Sequence, residues 1–255
     1  MAAAGQISLN TDIGEGFGAW RIADDDALLQ LVTCANVACG FHAGDPDILR
    51  HTCQVAVEHG VTIGAQVSYR DLAGFGRRYV AVPRASLVND LLYQIGALEA
   101  FARVAGGRIA YVKAHGALYN TAARDTEHAA AIVEAVRCYD TRLRLLCQPA
   151  TEIWRLAEDA GIRPLAEAFL DRHYTAEGLL VPRGQAEALI TDPEVAAQRA
   201  VRLATTGEIE AVDGSVLRIE PMSLCVHSDT PGAADIARAV VRGLTNAGVK
   251  LVGIR

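Results

Sequence analysis

Short apolar segments alternate with longer helical ones along almost the whole chain, and this alternation constrains the fold more than any other feature. Each apolar segment spans about five residues with apolar side chains on both faces, which is typical of strands covered by helices. Repeated strand–helix units favour a parallel sheet. The predicted strands are 6–10, 35–39, 61–65, 109–113, 143–148, 163–168 and 223–227, with 249–253 as a closing strand.

Capping residues mark the ends of the helices between these strands. Asp45-Pro46 and Asp192-Pro193 each place an N-cap aspartate before a proline in the first turn, a favoured start for a helix. These two helices are predicted to end at Gly60 and Gly207. Three more helices are predicted over 86–105, 126–137 and 231–246, starting at Ser86, Asp125 and Pro231.

One β-hairpin interrupts the strand–helix alternation before the seventh strand. Asp213-Gly214 is a turn signal between the strand-like segments 208–211 and 215–219. No linker rich in proline, glycine and serine divides the chain, so residues 1–255 are predicted to form one α/β domain.

Composition excludes several classes of protein. The net charge of −6, from 24 basic and 30 acidic residues, argues against nucleic-acid or anionic-membrane partners, which need clustered Lys and Arg. No apolar run approaches the ~18 residues of a membrane span, and the first residues lack the pattern of a leader peptide, so a cytoplasmic location is expected. The 6 cysteines form no C-x-x-C pair and are predicted to be reduced structural thiols.

Chemically capable side chains collect just after the carboxyl ends of six predicted strands. Parallel strands share that edge, and a closed barrel brings all its loops to one rim, whereas an open sheet concentrates chemistry on one or two loops. The spread therefore favours a β/α barrel. The residues are Asn10, Asp12, Glu15, His42, Asp45, Gln66, Ser68, Asp71, Arg77, Arg78, Lys113, His115, Tyr119, Asn120, Glu167, Asp171, Arg172, Tyr174, His227 and Asp229.

The sequence motifs of dinucleotide-binding enzymes, Walker-type ATPases and serine hydrolases are either absent or poorly matched. Residues 14–19 fit a loose G-x-G-x-x-A pattern, but Glu15 would place a negative charge against a dinucleotide pyrophosphate, so a loop shaping the rim is favoured. The only lysines, Lys113 and Lys250, each follow a valine, which excludes a Walker A loop, and no G-x-S-x-G is present. Lys113 is equally compatible with a phosphate anchor and a buried ion pair.

Three histidines stand apart from the others. His42, His115 and His227 each follow a different strand into a glycine-containing loop, as active-site groups do. Two aspartates keep alternative roles, because Asp45 and Asp229 are also placed to cap helices. The histidines predicted to be surface or packing residues are His51, His59 and His128, and His173 stays undecided.

Six stretches spread along nearly the whole chain carry a resemblance to a known family. They are LNTDIGEGFGAW (9–20), ANVACGFHAGDP (35–46), DLAGFGRR (71–78), VKAHGALYN (112–120), DRHYTAEGLLVPR (171–183) and CVHSDTPGA (225–233). On these stretches, which stand in the same order, the chain resembles the family of 5-oxoprolinase A subunits, also called LamB/YcsF.

This resemblance implies an activity and a set of partners. It implies a hydrolase that opens the lactam of 5-oxo-L-proline to L-glutamate, coupled to hydrolysis of ATP with Mg²⁺, in a complex with subunits B and C. It also implies a distorted barrel of about seven strands related to carbohydrate deacetylases. The implied catalytic residues are Asp12, Glu15, His42, His115 and Asp229. The implied substrate- or phosphate-binding residues are Asn10, Gln66, Arg77, Arg78, Lys113, Asn120, Asp171, Arg172, Tyr174, Arg183 and His227.

Two positions depart from the family pattern, and two other functions stay open. Gln66-Val67 stands where the family usually has His-Pro, which removes an imidazole, and Ser228 stands where glycine is usual.

A metal-dependent amide or acetyl hydrolase would use Asp12, His42 and His115 as ligands around an activated water. A non-catalytic protein that only binds the ligand within the complex is the other alternative.

Overall fold

The computed structural model describes residues 5–255 and contains ten strands. Seven of them are the predicted barrel strands, two form the predicted hairpin and one falls within 249–253, with bounds that shift by a few residues. The strands are β1 (Gln6–Ile13), β2 (Cys34–Ala38), β3 (Thr62–Val67), β4 (Ile109–Ala114), β5 (Arg144–Cys147), β6 (Pro164–Phe169), β7 (Glu208–Glu210), β8 (Val216–Arg218), β9 (Ser223–Val226) and β10 (Lys250–Leu251).

Within residues 5–255, eight α-helices surround these strands. The helices are α1 (Asp25–Leu29), α2 (Pro46–Glu58), α3 (Arg84–Val104), α4 (Gly116–Ala122), α5 (Thr126–Tyr139), α6 (Glu152–Asp159), α7 (Pro193–Thr206) and α8 (Ala233–Asn246). The aspartate caps predicted for α2, α5 and α7 are confirmed, since Asp45, Asp125 and Asp192 each accept hydrogen bonds from backbone N–H groups of the first turn.

The sheet closes on itself as a parallel barrel. The order is β1-β2-β3-β4-β5-β6-β9, and β9 pairs back with β1 along Ser8–Thr11. The predicted barrel is therefore confirmed, as is the hairpin before its last strand, since β7 and β8 pair antiparallel. The closing role predicted for 249–253 is wrong: β10 pairs with Gln6 and Ile7 outside the ring, which is already closed by β9.

Two predicted helix starts are also wrong. The helix α3 begins at Arg84 after Pro83, so Ser86 lies inside the first turn and caps nothing. The helix α8 begins at Ala233 because Gly232, at φ +77°, holds the turn that contains Pro231 outside the helix. Three short helices, α1, α4 and α6, were not predicted.

The lower part of the barrel interior is apolar. The side chains that fill it at the amino ends of the strands are Cys34, Tyr111, Leu146, Leu165 and Ile254. The ring of Tyr111 occupies the space where Gly64 has no side chain, since a Cβ there would lie 2.2 Å from the ring. We call these five side chains the apolar plug. A layer of polar side chains lies on its other side, towards the carboxyl ends of the strands, and the site is built on that layer.

Two further features bear on the expectations from sequence. Five of the six cysteines are buried, Cys138 is exposed, and all six are free thiols. No helix among residues 5–255 is long and apolar enough to cross a membrane.

Candidate active site

A buried ion-pair layer forms the floor of the site. Lys113 Nζ lies 2.7 Å from Glu167 Oε1 and 3.5 Å from Asp12 Oδ1. It also donates to Asn10 Oδ1 and Cys225 Sγ, both at 3.3 Å. Of the two roles left open for Lys113, this environment favours the buried ion pair, because its ammonium already has acceptors on several sides.

The same layer sets the charge of Asp12. Burial alone would raise the pKa of Asp12, but the Lys113 ammonium, with His227 and His115 nearby, outweighs it and lowers the pKa well below its usual value. Asp12 Oδ1 also accepts a hydrogen bond from Asn36 Nδ2 at 2.9 Å. Asp12 is therefore a fixed carboxylate. The sequence predicts Asp12 in the loop after the first strand, but the structure places it inside β1, which extends to Ile13.

A cluster of one carboxylate and two imidazoles lies beside this layer. Glu15 Oε1 is 3.3 Å from His42 Nε2 and 3.2 Å from His115 Nδ1, and the two rings stack with centroids 4.0 Å apart. Burial raises the pKa of Glu15 well above its usual value, with Asp12 adding to the effect. Burial lowers the pKa of His42 to about 4 and, together with His42, lowers that of His115.

Two neighbours hold the His115 ring in place. Its Nε2 donates to the Phe75 carbonyl at 2.9 Å, and Gln66 Nε2 approaches its Nδ1 at 3.0 Å. Gly76, at φ +64°, packs against both imidazoles, since a Cβ there would lie 2.9 Å from His115 Cδ2 and from His42 Cβ. Only glycine combines that backbone conformation with that space.

His227 and Asp171 form a second acid–base pair. The Asp171 carboxylate accepts from His227 Nδ1 at 3.0 Å, from the His227 backbone N–H at 3.0 Å and from Thr230 Oγ1 at 2.5 Å. These donors, with His227 the strongest, outweigh burial and lower the pKa of Asp171. The His227 ring stacks on Phe169 at 5.2 Å and lines the open cavity with its other edge. Asp171 therefore orients a histidine rather than contacting a ligand.

Arginines and Asp229 form the rim. Arg77 donates to Asp229 Oδ2 at 2.5 Å and lies over the Phe75 ring, and Arg183 is 3.5 Å from Asp229 Oδ1. Asp229 thus connects loops that follow β3, β6 and β9. It caps no helix, because Gly232 occupies the N-cap position of α8.

Residues 179–190, which we call the strap, lie over the open end of the barrel. Hydrogen bonds from Arg172 hold this segment in place. Arg172 donates to the carbonyls of Val181 at 2.5 Å and Ala188 at 3.3 Å. Burial and the nearby Arg183 lower the pKa of Arg172 to about 10. The strap closes one side of a 440 Å³ cavity. The residues that line it include Asp12, Arg77, Lys113, His115, Tyr119, Asn120, Arg124, Gln148, Phe169, Arg172, Arg183 and His227.

Similarity in sequence places this barrel in a known family. Residues 7–255 match the LamB/YcsF family. The chain belongs to the LamB/YcsF family. It is 53% identical over 245 residues to a protein from Streptomyces avermitilis that is named as the A subunit of 5-oxoprolinase, covering 96% of this chain and 98% of that one. It is 54% identical over 243 residues to a protein of the same name from Streptomyces coelicolor, covering 95% and 97%.

A solved structure shows the same fold. The lactam utilization protein from Thermus thermophilus superimposes with a TM-score of 0.93 at 43% identity, covering 97% of this chain and 99% of that chain. The names of the Streptomyces relatives designate one subunit among several, which implies that those proteins work in a complex.

Not every residue predicted for the site of this LamB/YcsF chain reaches the cavity. Asn10 lies below the cavity, where its amide donates to Ser223 Oγ at 2.7 Å. Arg78 turns away to pair with Asp71. Tyr174 is buried, and its hydroxyl accepts the Phe169 N–H at 2.8 Å. Spacing after a strand identifies the rim but not the direction in which each side chain points.

Several cavity residues had not been predicted to bind a ligand. Arg124 and Gln148 lie after α4 and β5, outside the six stretches that carry the family resemblance, so no motif marked them. The structure also separates the histidines into two groups. His42 and His115 share Glu15, whereas His227 belongs with Asp171.

Proposed function

We propose that this chain is the A subunit of a 5-oxoprolinase, which opens the lactam of 5-oxo-L-proline to L-glutamate in a complex with subunits B and C. The names of the Streptomyces relatives and of the Thermus protein support this proposal, because 5-oxoproline is a lactam. The substrate is a small monoanion, and a cavity lined in part by arginines suits it.

The observation that carries the proposal is the pairing of His227 with Asp171 beside the cationic rim. Because Asp171 holds Nδ1–H, the Nε2 atom of His227 is the one available to take or give a proton at the lactam. Arg77 and Arg183 are placed to bind the substrate carboxylate, exchanging part of their contact with Asp229 for it. Asp12, whose pKa Lys113 helps to hold well below its usual value, keeps a negative charge near His227.

We further propose that ring opening is coupled to ATP with Mg²⁺ within the complex. Resonance stabilises the amide, and transfer of the ATP γ-phosphoryl group to its oxygen would make the ring carbon electrophilic. Addition of water, cleavage of the C–N bond with protonation of nitrogen, and release of phosphate by a second water would give glutamate, ADP and phosphate. Arg77, Arg124 and Arg183 are the cavity cations that would face the phosphoryl group.

The test is an assay of 5-oxoproline-dependent glutamate and ADP formation by the chain with its partner subunits. We expect His227→Gln to lower kcat by about 10²–10⁴-fold, the range for loss of a general acid–base group. His51→Gln is the control, because His51 is exposed and pairs with Asp26 on the surface. Near-normal turnover by His227→Gln would contradict the assigned role.

The same assay separates the alternatives. ATP-independent turnover by the chain alone would favour a metal-dependent amide hydrolase. Binding of 5-oxoproline without turnover, even with subunits B and C present, would favour a non-catalytic role in ligand binding.

A further inference from the structure

Three buried side chains from three separate connections converge on one point. Glu15 follows β1, His42 follows β2 and His115 follows β4, and their ligating atoms all lie within 4.8 Å of one another. Glu15 Oε1 is 3.2 Å from His115 Nδ1 and 3.3 Å from His42 Nε2. Ligand atoms bound to a first-row cation at about 2.1 Å lie roughly 3.0–3.4 Å apart, so these two separations already match those of a coordination shell.

The hydrogen bonds around His115 leave an electron pair directed at that point. Its Nε2 carries the proton, because that atom donates to the Phe75 carbonyl. The lone pair of Nδ1 therefore faces Glu15 Oε1, which is itself an acceptor when ionised. Nδ1 can accept one hydrogen bond, yet both Glu15 and Gln66 approach it. A cation would satisfy Nδ1 and Glu15 together.

A second observation comes from Gln66. Its Oε1 is buried and has no hydrogen-bond partner among residues 5–255, while its Nε2 lies 3.0 Å from His115 Nδ1. The oxygen and nitrogen of an amide are nearly equal in shape, so a half-turn of the group exchanges them. That half-turn would direct the oxygen, an electron-pair donor, at the point where the other three ligands meet.

We propose that Glu15, His42 and His115 bind a divalent first-row transition-metal cation, with Gln66 Oε1 as the fourth ligand. Two imidazoles and a carboxylate suit such an ion, and an amide oxygen in place of a third imidazole favours harder ions such as Mn²⁺ and Co²⁺ over Zn²⁺. The carboxylate is Glu15 rather than Asp12, whose Oδ1 is engaged by Asn36 and Lys113.

The position of this cation connects it to the cavity. His115 lines the cavity, so a cation bound to it has its open coordination positions near the proposed ligand site. There it would polarise a carbonyl or hold a water. This last link rests on the proposed function, whereas the cation site itself does not.

The experiment is titration of the chelator-treated full chain with Mn²⁺, followed by electron paramagnetic resonance, and with Co²⁺, followed by visible absorption. We expect one equivalent of each ion to bind and to raise the Tm. Glu15→Gln keeps the shape of the side chain and removes its charge, and it should weaken binding at least 100-fold. Gln66→Glu should strengthen binding about tenfold, and Gln66→Leu should weaken it.

The matched control is Glu194→Gln, an exposed glutamate on α7 that pairs with Arg242, which should bind both ions as the unaltered chain does. Absence of stoichiometric binding, or equal binding by Glu15→Gln and the unaltered chain, would overturn the proposal. Because Mn²⁺ binding is measured without substrate, the two proposals fail separately. Turnover of 5-oxoproline by the chain stripped of transition metals, with Mg²⁺ and ATP supplied, would count only against the link between the cation and the reaction. Cation binding without turnover would count only against the proposed function.

Discussion

Two histidines of the site have different roles because different ring nitrogens are used in hydrogen bonds. The Nε2 atom of His115 donates to the Phe75 carbonyl, and its Nδ1 atom faces Glu15. The Nδ1 atom of His227 donates to Asp171, which leaves its Nε2 atom for the cavity. The first arrangement directs a lone pair inward and suits a ligand, and the second suits a proton-transfer group held in one tautomer.

Asp171 is expected to act on the reaction only through His227. Asp171→Asn keeps the size of the side chain but removes the charge that fixes the tautomer, so kcat for glutamate formation should fall by about 10² or more, with KM little changed. The pH at which kcat falls on acidification should also shift. A loss of Tm with an unchanged pH profile would assign Asp171 a structural role instead.

Asp25 offers a prediction about stability and pH. Its carboxylate accepts the Gly14 N–H at 3.0 Å, and burial raises its pKa from 3.8 to about 6. Below pH 3.8 both the folded and the unfolded chain hold this proton. Between pH 3.8 and 6 only the folded chain keeps it, so the free energy of unfolding loses up to about 3 kcal/mol as the pH rises.

The test is Asp25→Asn, whose amide oxygen can still accept from Gly14. Relative to the unaltered chain, this variant should become more stable as the pH rises from 4 to 7, measured by urea unfolding. A difference that stays constant with pH would contradict the prediction.

At the scale of elements, local chemistry predicted the helices with strong caps and missed the short ones. Asp45 and Asp192 bond to backbone N–H groups as their sequence context indicates. The helix α4 starts at Gly116 directly after a strand, with no side-chain cap, so no start signal marks it. The rim loops were predicted from the polar residues that follow each strand. The directions of Arg77 and Arg78 were not, because Arg78 pairs with Asp71 inside its own loop whereas Arg77 reaches Asp229 in a loop 152 residues away.

Gly76 is the loop position with the sharpest expected effect. Gly76→Ala adds a methyl group 2.9 Å from atoms of both His42 and His115, besides the strain of a positive φ. Gly248→Ala carries the same strain at φ +74° with nothing within 4 Å, and serves as its control. We expect Gly76→Ala to lower the free energy of unfolding by about 1–3 kcal/mol more than Gly248→Ala, and to weaken Mn²⁺ binding. Equal effects in urea unfolding would contradict this.

For the whole molecule, the sequence predicted the closed parallel barrel because loops of reactive groups follow six strands. It did not predict which of the polar side chains lie inside the barrel instead of at its rim. Lys113 and Asn10 point into the barrel, where Lys113 pairs with Glu167 on β6 and Asn10 bonds to Ser223 on the neighbouring strand β9. Those pairs are separated by 54 and 213 residues, and the second forms only because β9 closes the barrel against β1.

The apolar plug should contribute much of the barrel's stability. Ile254 is buried among Cys34, Tyr111, Leu146 and Leu165 at the amino ends of the strands. Ile254→Ala should lower the free energy of unfolding by about 2–4 kcal/mol, the usual cost of such a cavity. Ile22→Ala, at a side chain that is 45% exposed, should cost less than about 0.5 kcal/mol. Similar losses for both in urea unfolding would show that Ile254 does not seal the barrel.

The way in which Arg172 fastens residues 179–190 has an evolutionary consequence. The guanidinium binds main-chain carbonyls of Val181 and Ala188, so the attachment is indifferent to most side chains of that segment. Substitutions in this segment can change the shape of one wall of the cavity without moving the acid–base groups on the other side. Paralogues that accept bulkier or differently charged lactams would then be expected to diverge first in this stretch.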